Sequence, residues 1–273
     1  MSKFNQSDEF GISRRRLLCG SGGALGLLGL GSTSVTAHGS DRDDGDDGGG
    51  GRCPKPTLEP GMVHYDDSMH AVCSDDHPAT QALQADVRAA VEEQFPTVGA
   101  LIDAGFVPYF DFFAEGNWSH WINPEFIRDD SVLDPERPES VLVDHTWWRP
   151  IGVMFVATDD GEPVDPPPSS YVDDGDGGAC TPWHAHVGFP GRYSWWKYRK
   201  AYHGRAEFPC RTPWMMHVWL YPHRESIFAH AAPEDRGGPP AEPAEFDTDA
   251  DPNEVELGPE HLPDAVLGKL RGR

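Results

Sequence analysis

The sequence predicts an α+β fold, a mainly antiparallel β-sheet arranged as a sandwich or barrel, with a helix on its N-terminal side. Three observations lead there. From residue 80 to residue 104 apolar side chains recur at three- and four-residue spacing, the period of a helix with one buried face. After Gly105 the period changes, and short β-branched or aromatic runs stand between Pro, Gly and Asp. The chain has 273 residues, 38% of them hydrophobic, with nine Trp, which suffices for one large core.

The helix has Thr80 as its expected N-cap and Leu83, Val87, Ala90 and Val91 on its apolar face. Pro96 lacks an N–H and clashes with the preceding turn, so the helix breaks or restarts there, and Gly105 ends it. The expected strands are 106–110, 140–144, 151–157, 183–189 and 215–221. Segments 159–178 and 232–251 are rich in Pro, Asp, Glu and Gly and are expected to be exposed and mobile.

The N-terminal 37 residues read as an export signal. Ser13-Arg14-Arg15-Arg16-Leu17-Leu18 leads into an apolar, Gly-rich run ending near Leu30, and Val35-Thr36-Ala37 sets small residues where a signal peptidase cuts. This resembles a twin-arginine (Tat) signal, which implies a secreted or extracellular protein. The apolar run is shorter than the ~20 residues that span a bilayer, so no permanent membrane span is expected. Cys19 precedes the run and leaves with the signal. Residues 38–56 are Asp, Gly and Arg with almost no apolar side chain and read as a disordered linker. A single domain is then expected over 57–231, followed by an acidic, Pro-rich tail over 232–273.

Asp and Glu number 45 against 22 Lys and Arg, only five of them Lys, for a formal charge of −23. Such a surface repels phosphate, which excludes nucleic acid as a partner. Its self-repulsion is relieved in molar salt, where the screening length falls to roughly 3 Å, so the composition reads as halophilic. Cys53, Cys73, Cys180 and Cys210 form an even set in an oxidising compartment and are expected to be disulfide-bonded. Of the three pairings, Cys53 with Cys73 and Cys180 with Cys210 is favoured because each pair brackets a local segment.

The chemistry sits in histidines. Trp183-His184-Ala185-His186 opens an expected strand, and alternate side chains of a strand share a face, so both imidazoles point the same way. His120, in Trp118-Ser119-His120-Trp121, and His217, in Met215-Met216-His217-Val218-Trp219, lie in similar strand-like surroundings. Neutral imidazoles with one carboxylate, Glu139, suit a divalent transition metal such as Zn, Cu, Fe or Mn. Glu139 or Asp111 is the candidate base if such a site is catalytic. The opposing reading of His217 is a packed core histidine among Trp and Met.

His64, His70 and His77 lie near Met62, Met69 and Cys73, a soft-ligand mixture of interest to copper, and read better as an exposed segment pinned by a disulfide. The basic, aromatic stretch 193–200 suits a saccharide or small acidic ligand, or else forms a loop or helix whose rings pack on the sheet. There is no G-x-S-x-G, P-loop, G-x-G-x-x-G or H-E-x-x-H, which lowers serine hydrolase, nucleotide and zincin readings.

Ala104-Gly105-Phe106, His120-Trp121-Ile122-Asn123-Pro124, Pro138-Glu139-Ser140-Val141-Leu142 and His217-Val218-Trp219-Leu220 together resemble an uncharacterised group of exported bacterial and archaeal proteins. Members carry H-x-x-N-P, P-E-x-x-L and H-V-W-L segments. The resemblance spans about residues 80–221 and implies that His120, Asn123, Pro124, Glu139 and His217 share one local structure; it brings no activity with it. A more distant similarity is to cupins, which gather an H-x-H pair, a Glu and a distant His in a barrel, although the chain order differs here. The expected function is therefore binding of one divalent transition metal through a histidine cluster; the sequence leaves open whether such a site is catalytic and specifies no substrate. The rivals are a non-enzymatic binding or structural protein without metal, and metal storage or delivery.

Overall fold

Pro78 opens the first helix, α1 (Pro78–Gln94), where its missing N–H costs nothing. The cap is His77, whose Nδ1 accepts the Ala79 N–H at 3.2 Å. Thr80, the cap expected from sequence, instead lies inside the first turn and is buried, because the proline starts the helix two residues earlier. Pro96 breaks the helix as expected. Thr97 recaps it, its Oγ1 accepting the Ala100 N–H at 3.1 Å, to begin α2 (Val98–Asp103). Gly105 then turns the chain at φ +91°, a conformation that favours glycine.

This computed structural model describes residues 53, 57–59, 61–66, 73–109, 117–172, 179–204, 207–240, 243–245 and 263–264. The twin-arginine segment, most of the linker, His70, Asp111 and most of the C-terminal tail lie outside the described residues.

Seven strands form one sheet: β1 (Met62–His64), β2 (Val107–Pro108), β3 (Trp118–Ile122), β4 (Ser140–Asp144), β5 (Arg149–Val156), β6 (His184–His186) and β7 (Met215–Trp219). Their order is β1-β6-β7-β5-β4-β3-β2, with every neighbouring pair antiparallel. The mainly antiparallel α+β fold read from the sequence is the fold observed. The run expected as a strand over 183–189 is shorter, because Phe189 already begins α3 (Phe189–His203), with Pro190 in its first turn.

Alternation divides the sheet into two faces. One carries Trp121, Val141, Val143, Val153, Phe155, Ala185, Met216 and Val218, and packs on Val87, Val91, Phe95, Val98 and Leu101 of α1 and α2. The other carries Ile122, Leu142, Met154, Val156, Met215 and Trp219, and packs on Trp195 and Tyr198 of α3. The aromatic stretch 193–200 is thus a helix whose inner rings cover the sheet.

The described parts of two segments expected to be mobile are tied down. In 159–178, Glu162–Pro163 pairs back on Thr158–Asp159, and the Trp183 indole donates to the Pro168 carbonyl at 2.6 Å. Beyond residue 232, Arg236 meets the buried Asp144 carboxylate at 2.6 Å, and the Gly99 N–H donates to the Ala244 carbonyl at 2.8 Å. A buried carboxylate needs a cation, and composition alone does not reveal that demand.

The cysteines pair otherwise than favoured. Cys53 bonds Cys210 and Cys73 bonds Cys180, each with Cα atoms 5.0 Å apart. The reason is the β1–β6 ladder, in which Met62 opposes His186 and His64 opposes His184. That pairing brings chain flanking β1 alongside chain flanking β6, so the bridges join the two flanks instead of closing local loops.

Candidate metal centre

The α3-side face of the sheet also carries the histidines. Residues opposite one another in register share a face, which places Met62, His64, His184, His186, Met215 and His217 together with Met154, Ser140 and His120. His120 and His217 stand on β3 and β7 with two strands between them. They nevertheless meet: their Nε2 atoms are 3.2 Å apart. Gly152 on β5, in register with Trp219 of β7 and Leu142 of β4, lets those two side chains pack close over the sheet beside the pair. A Cβ at Gly152 would lie 2.8 Å from the Trp219 ring and 3.1 Å from Leu142.

A loop supplies one more imidazole, His230. The loop is folded back over β7, with the Trp219 N–H donating to the Ile227 carbonyl and the Trp219 indole to the Ala229 carbonyl at 2.7 Å. Asp75 pins it further by accepting from Ser226 Oγ at 2.8 Å and from the Ile227 N–H. His184, His186 and His230 then each offer a ligand atom within 4.8 Å of the other two, a group that can hold a metal ion. Ring centroids of His184 and His230 lie 5.2 and 5.3 Å from His217, so the five imidazoles are contiguous.

The cluster is graded in depth. His230 is exposed, His186 half-buried, and His184, His217 and His120 are buried at 2%, 1% and 8% exposure. Burial holds the pKa values of His184 and His217 well below the usual histidine range, and the neighbouring imidazoles add to the effect. Both rings are therefore neutral at pH 7, the form that binds metals. His184 Nε2 is buried without a hydrogen-bond partner, an unusual state for a polar atom in a core. His217 Nδ1 makes a long contact, 3.4 Å, to the Ala229 carbonyl, which assigns the ring proton to Nδ1 and leaves Nε2 with its lone pair. Trp118 packs edge-on against His217 and Trp219 and walls the inner end.

The other candidates lie elsewhere. Glu139 is 1% exposed and accepts the Val156 N–H at 3.0 Å; burial holds its pKa well above the usual carboxylate range, and Asp129 and Asp134 raise it further. It stands beside the end of β5, outside the three-histidine group. His145, a histidine not singled out from the sequence, is buried against Ser119, its Nε2 2.9 Å from the hydroxyl. His64, set aside in the sequence, stands opposite His184 with ring centroids 6.5 Å apart. His230 was missed, since a histidine in an irregular loop has no period to place it; its only signal is its position in the return from β7.

Fold and site together define a disulfide-bonded α+β protein with a cluster of histidines on one face of its sheet. No family model, curated protein or solved structure matches the chain.

Proposed function

We propose that this chain is an exported metalloprotein of a saline environment that binds a divalent transition metal through His184, His186 and His230. The convergence of those three ligand atoms, in a group that includes an imidazole whose buried Nε2 makes no hydrogen bond, carries the reading. Three imidazoles leave coordination positions open, and the exposure of His230 turns them toward solvent. A bound ion would supply Lewis acidity at that mouth, while His184 holds the inner side and excludes water. The test is metal content by mass spectrometry on protein purified in molar KCl. After loading with Zn(II), about one ion per chain is expected, lost in both His184→Ala/His186→Ala and His230→Ala variants that keep their far-ultraviolet circular dichroism. Metal-free wild-type protein, even after incubation with Zn or Cu salts, overturns the proposal.

One observation favours a second reading, a non-enzymatic saccharide-binding protein. Phe189, Tyr193 and Phe208 are partly exposed and stack at 5.4 and 5.8 Å between centroids, forming an aromatic ledge. Gly191 in the same helix lies against His186, so the ledge borders the histidines. Quenching of Trp fluorescence by oligosaccharides, abolished in Tyr193→Ala, distinguishes this reading.

A further inference from the structure

We infer that a second, inner metal position lies beneath the first, held by His120 and His217 with Met154 as a soft third donor, and that it takes copper. The inference rests on the reading of His184, His186 and His230 as the outer position.

Two ligand nitrogens on one ion, each at ~2.0–2.1 Å and near the tetrahedral angle, lie about 3.3 Å from one another. The Nε2 atoms of His120 and His217 are 3.2 Å apart before any ion is present. Their backbones belong to strands that are not neighbours, so this approach is not a by-product of strand pairing. Beside it Trp219 packs close over Gly152, and Trp118 meets Trp219 edge-on and His217 edge-on. The Ala229 carbonyl orients His217 from behind, as the outer partners of metal-bound histidines do. Without metal, one imidazole donates a hydrogen bond to the other. On coordination both Nε2 lone pairs go to the ion, and the proton that His120 held on Nε2 moves to its Nδ1.

The surroundings select the ion. Methionines stand in register with the histidines along this face: Met62 opposite His186, Met215 opposite His184, Met154 opposite His217. Met154 is buried, and it shares the floor with Ser140, whose hydroxyl is buried without a partner. Thioether and imidazole donors in a dry site favour Cu(I), whereas Zn accepts the outer imidazoles alone. The gradient from exposed His230 to buried His120 gives an ion a continuous histidine route inward.

The test is anaerobic equilibration of the full protein with ascorbate-reduced copper, and separately with Zn(II), followed by desalting in molar KCl and metal analysis. Two Cu and one Zn per wild-type chain are expected, falling to one Cu with Zn unchanged in His120→Gln/His217→Gln. Met154→Leu, which conserves volume, should fold normally and weaken one of the two Cu(I) affinities at least ~10-fold. A wild-type chain holding one Cu that survives loss of His120 and His217 overturns the inner position and leaves the outer one standing. Unchanged Cu(I) binding in Met154→Leu overturns the copper assignment, and wild-type protein that binds no metal overturns both positions.

Discussion

Gly152 of β5 lies directly beneath Trp219 of β7, its partner in register, so closely that a methyl group at Gly152 would come within 2.8 Å of the indole. The same methyl would meet Leu142 at 3.1 Å and the Val218 carbonyl at 3.1 Å. Gly152→Ala therefore forces rigid neighbours apart and should cost about 1–3 kcal/mol. It also displaces the Trp219 ring, which packs against His217 with centroids 5.5 Å apart. Calorimetry should show the lower Tm together with reduced metal content; a variant with wild-type Tm would show that the sheet yields there without strain.

Asp144 and Arg236 form the buried ion pair that ties the chain beyond residue 232 to the sheet. Asp144 is fully buried and also accepts the Trp147 N–H at 2.8 Å, while Arg236 is one-fifth exposed and donates to the Asn117 carbonyl at 2.7 Å. Arg236→Ala leaves a buried carboxylate without its cation and should destabilise by about 2–4 kcal/mol. Asp144→Asn/Arg236→Met should recover part of that loss. Chemical denaturation of the three proteins measures it, and equal stability of Arg236→Ala and wild type would show that the pair contributes nothing.

How much of this was legible in the sequence depends on range. Helix α1, its break at Pro96 and the shared face of His184 and His186 follow from local periods of 3.6 and 2, and all were readable. The cap at His77 was not, because a histidine seldom serves as N-cap and Thr80 was the standard candidate. The disulfide pairing and the contact of His120 with His217 depend on which strands lie side by side, a property of the whole sheet order. His230 stands in an irregular loop with no period to place it, and Arg236 in a segment where composition suggested only mobility; their roles arise from a histidine face and a buried carboxylate made elsewhere in the chain.

Glu139 predicts a pH signature. Burial raises its carboxyl well above the ordinary value of 4.5, so between the two values the folded state keeps a proton that the unfolded state releases. Folding stability contributed at this position is thus complete below pH 4.5 and declines as pH rises. Glu139→Gln retains an oxygen for the Val156 N–H and removes the ionisation. The variant should match wild type near pH 4 and exceed it at pH 7, by about 2–4 °C in Tm for each kcal/mol gained. Parallel Tm curves across pH 4–7 would mean that Glu139 is not the group responsible.

The Cys73–Cys180 bridge closes a loop with a sequence separation of 107 residues, nested inside that closed by Cys53–Cys210. By chain entropy its loss should cost up to roughly 5 kcal/mol. Cys73 and Cys180 are also core residues, so paired Ser substitutions add a burial penalty and paired Ala substitutions give the cleaner measure. Cys73→Ala/Cys180→Ala should be far less stable than Cys53→Ala/Cys210→Ala, because only the inner bridge is buried in the core. Denaturation midpoints of the two variants decide the order.

The charge of −23 makes stability a function of salt. At 0.1 M ionic strength the screening length is about 10 Å, so carboxylates across the surface still repel; at 1 M it is about 3 Å, and the repulsion is largely gone. Exposed ion pairs act in the opposite sense. Arg224–Glu234 at 3.0 Å and Arg199–Glu162 at 2.6 Å each contribute at most about 1 kcal/mol and are weakened by the same screening. With 45 acidic against 22 basic residues, most carboxylates have no basic residue to pair with, and the repulsive contribution wins. Raising KCl from 0.1 to 2 M should therefore raise the Tm by roughly 5 °C or more, with most of the gain reached by 1 M. Sodium and potassium chloride should act alike if screening is the cause, whereas a gain that continues linearly beyond 2 M would assign the effect to salt exclusion from apolar surface.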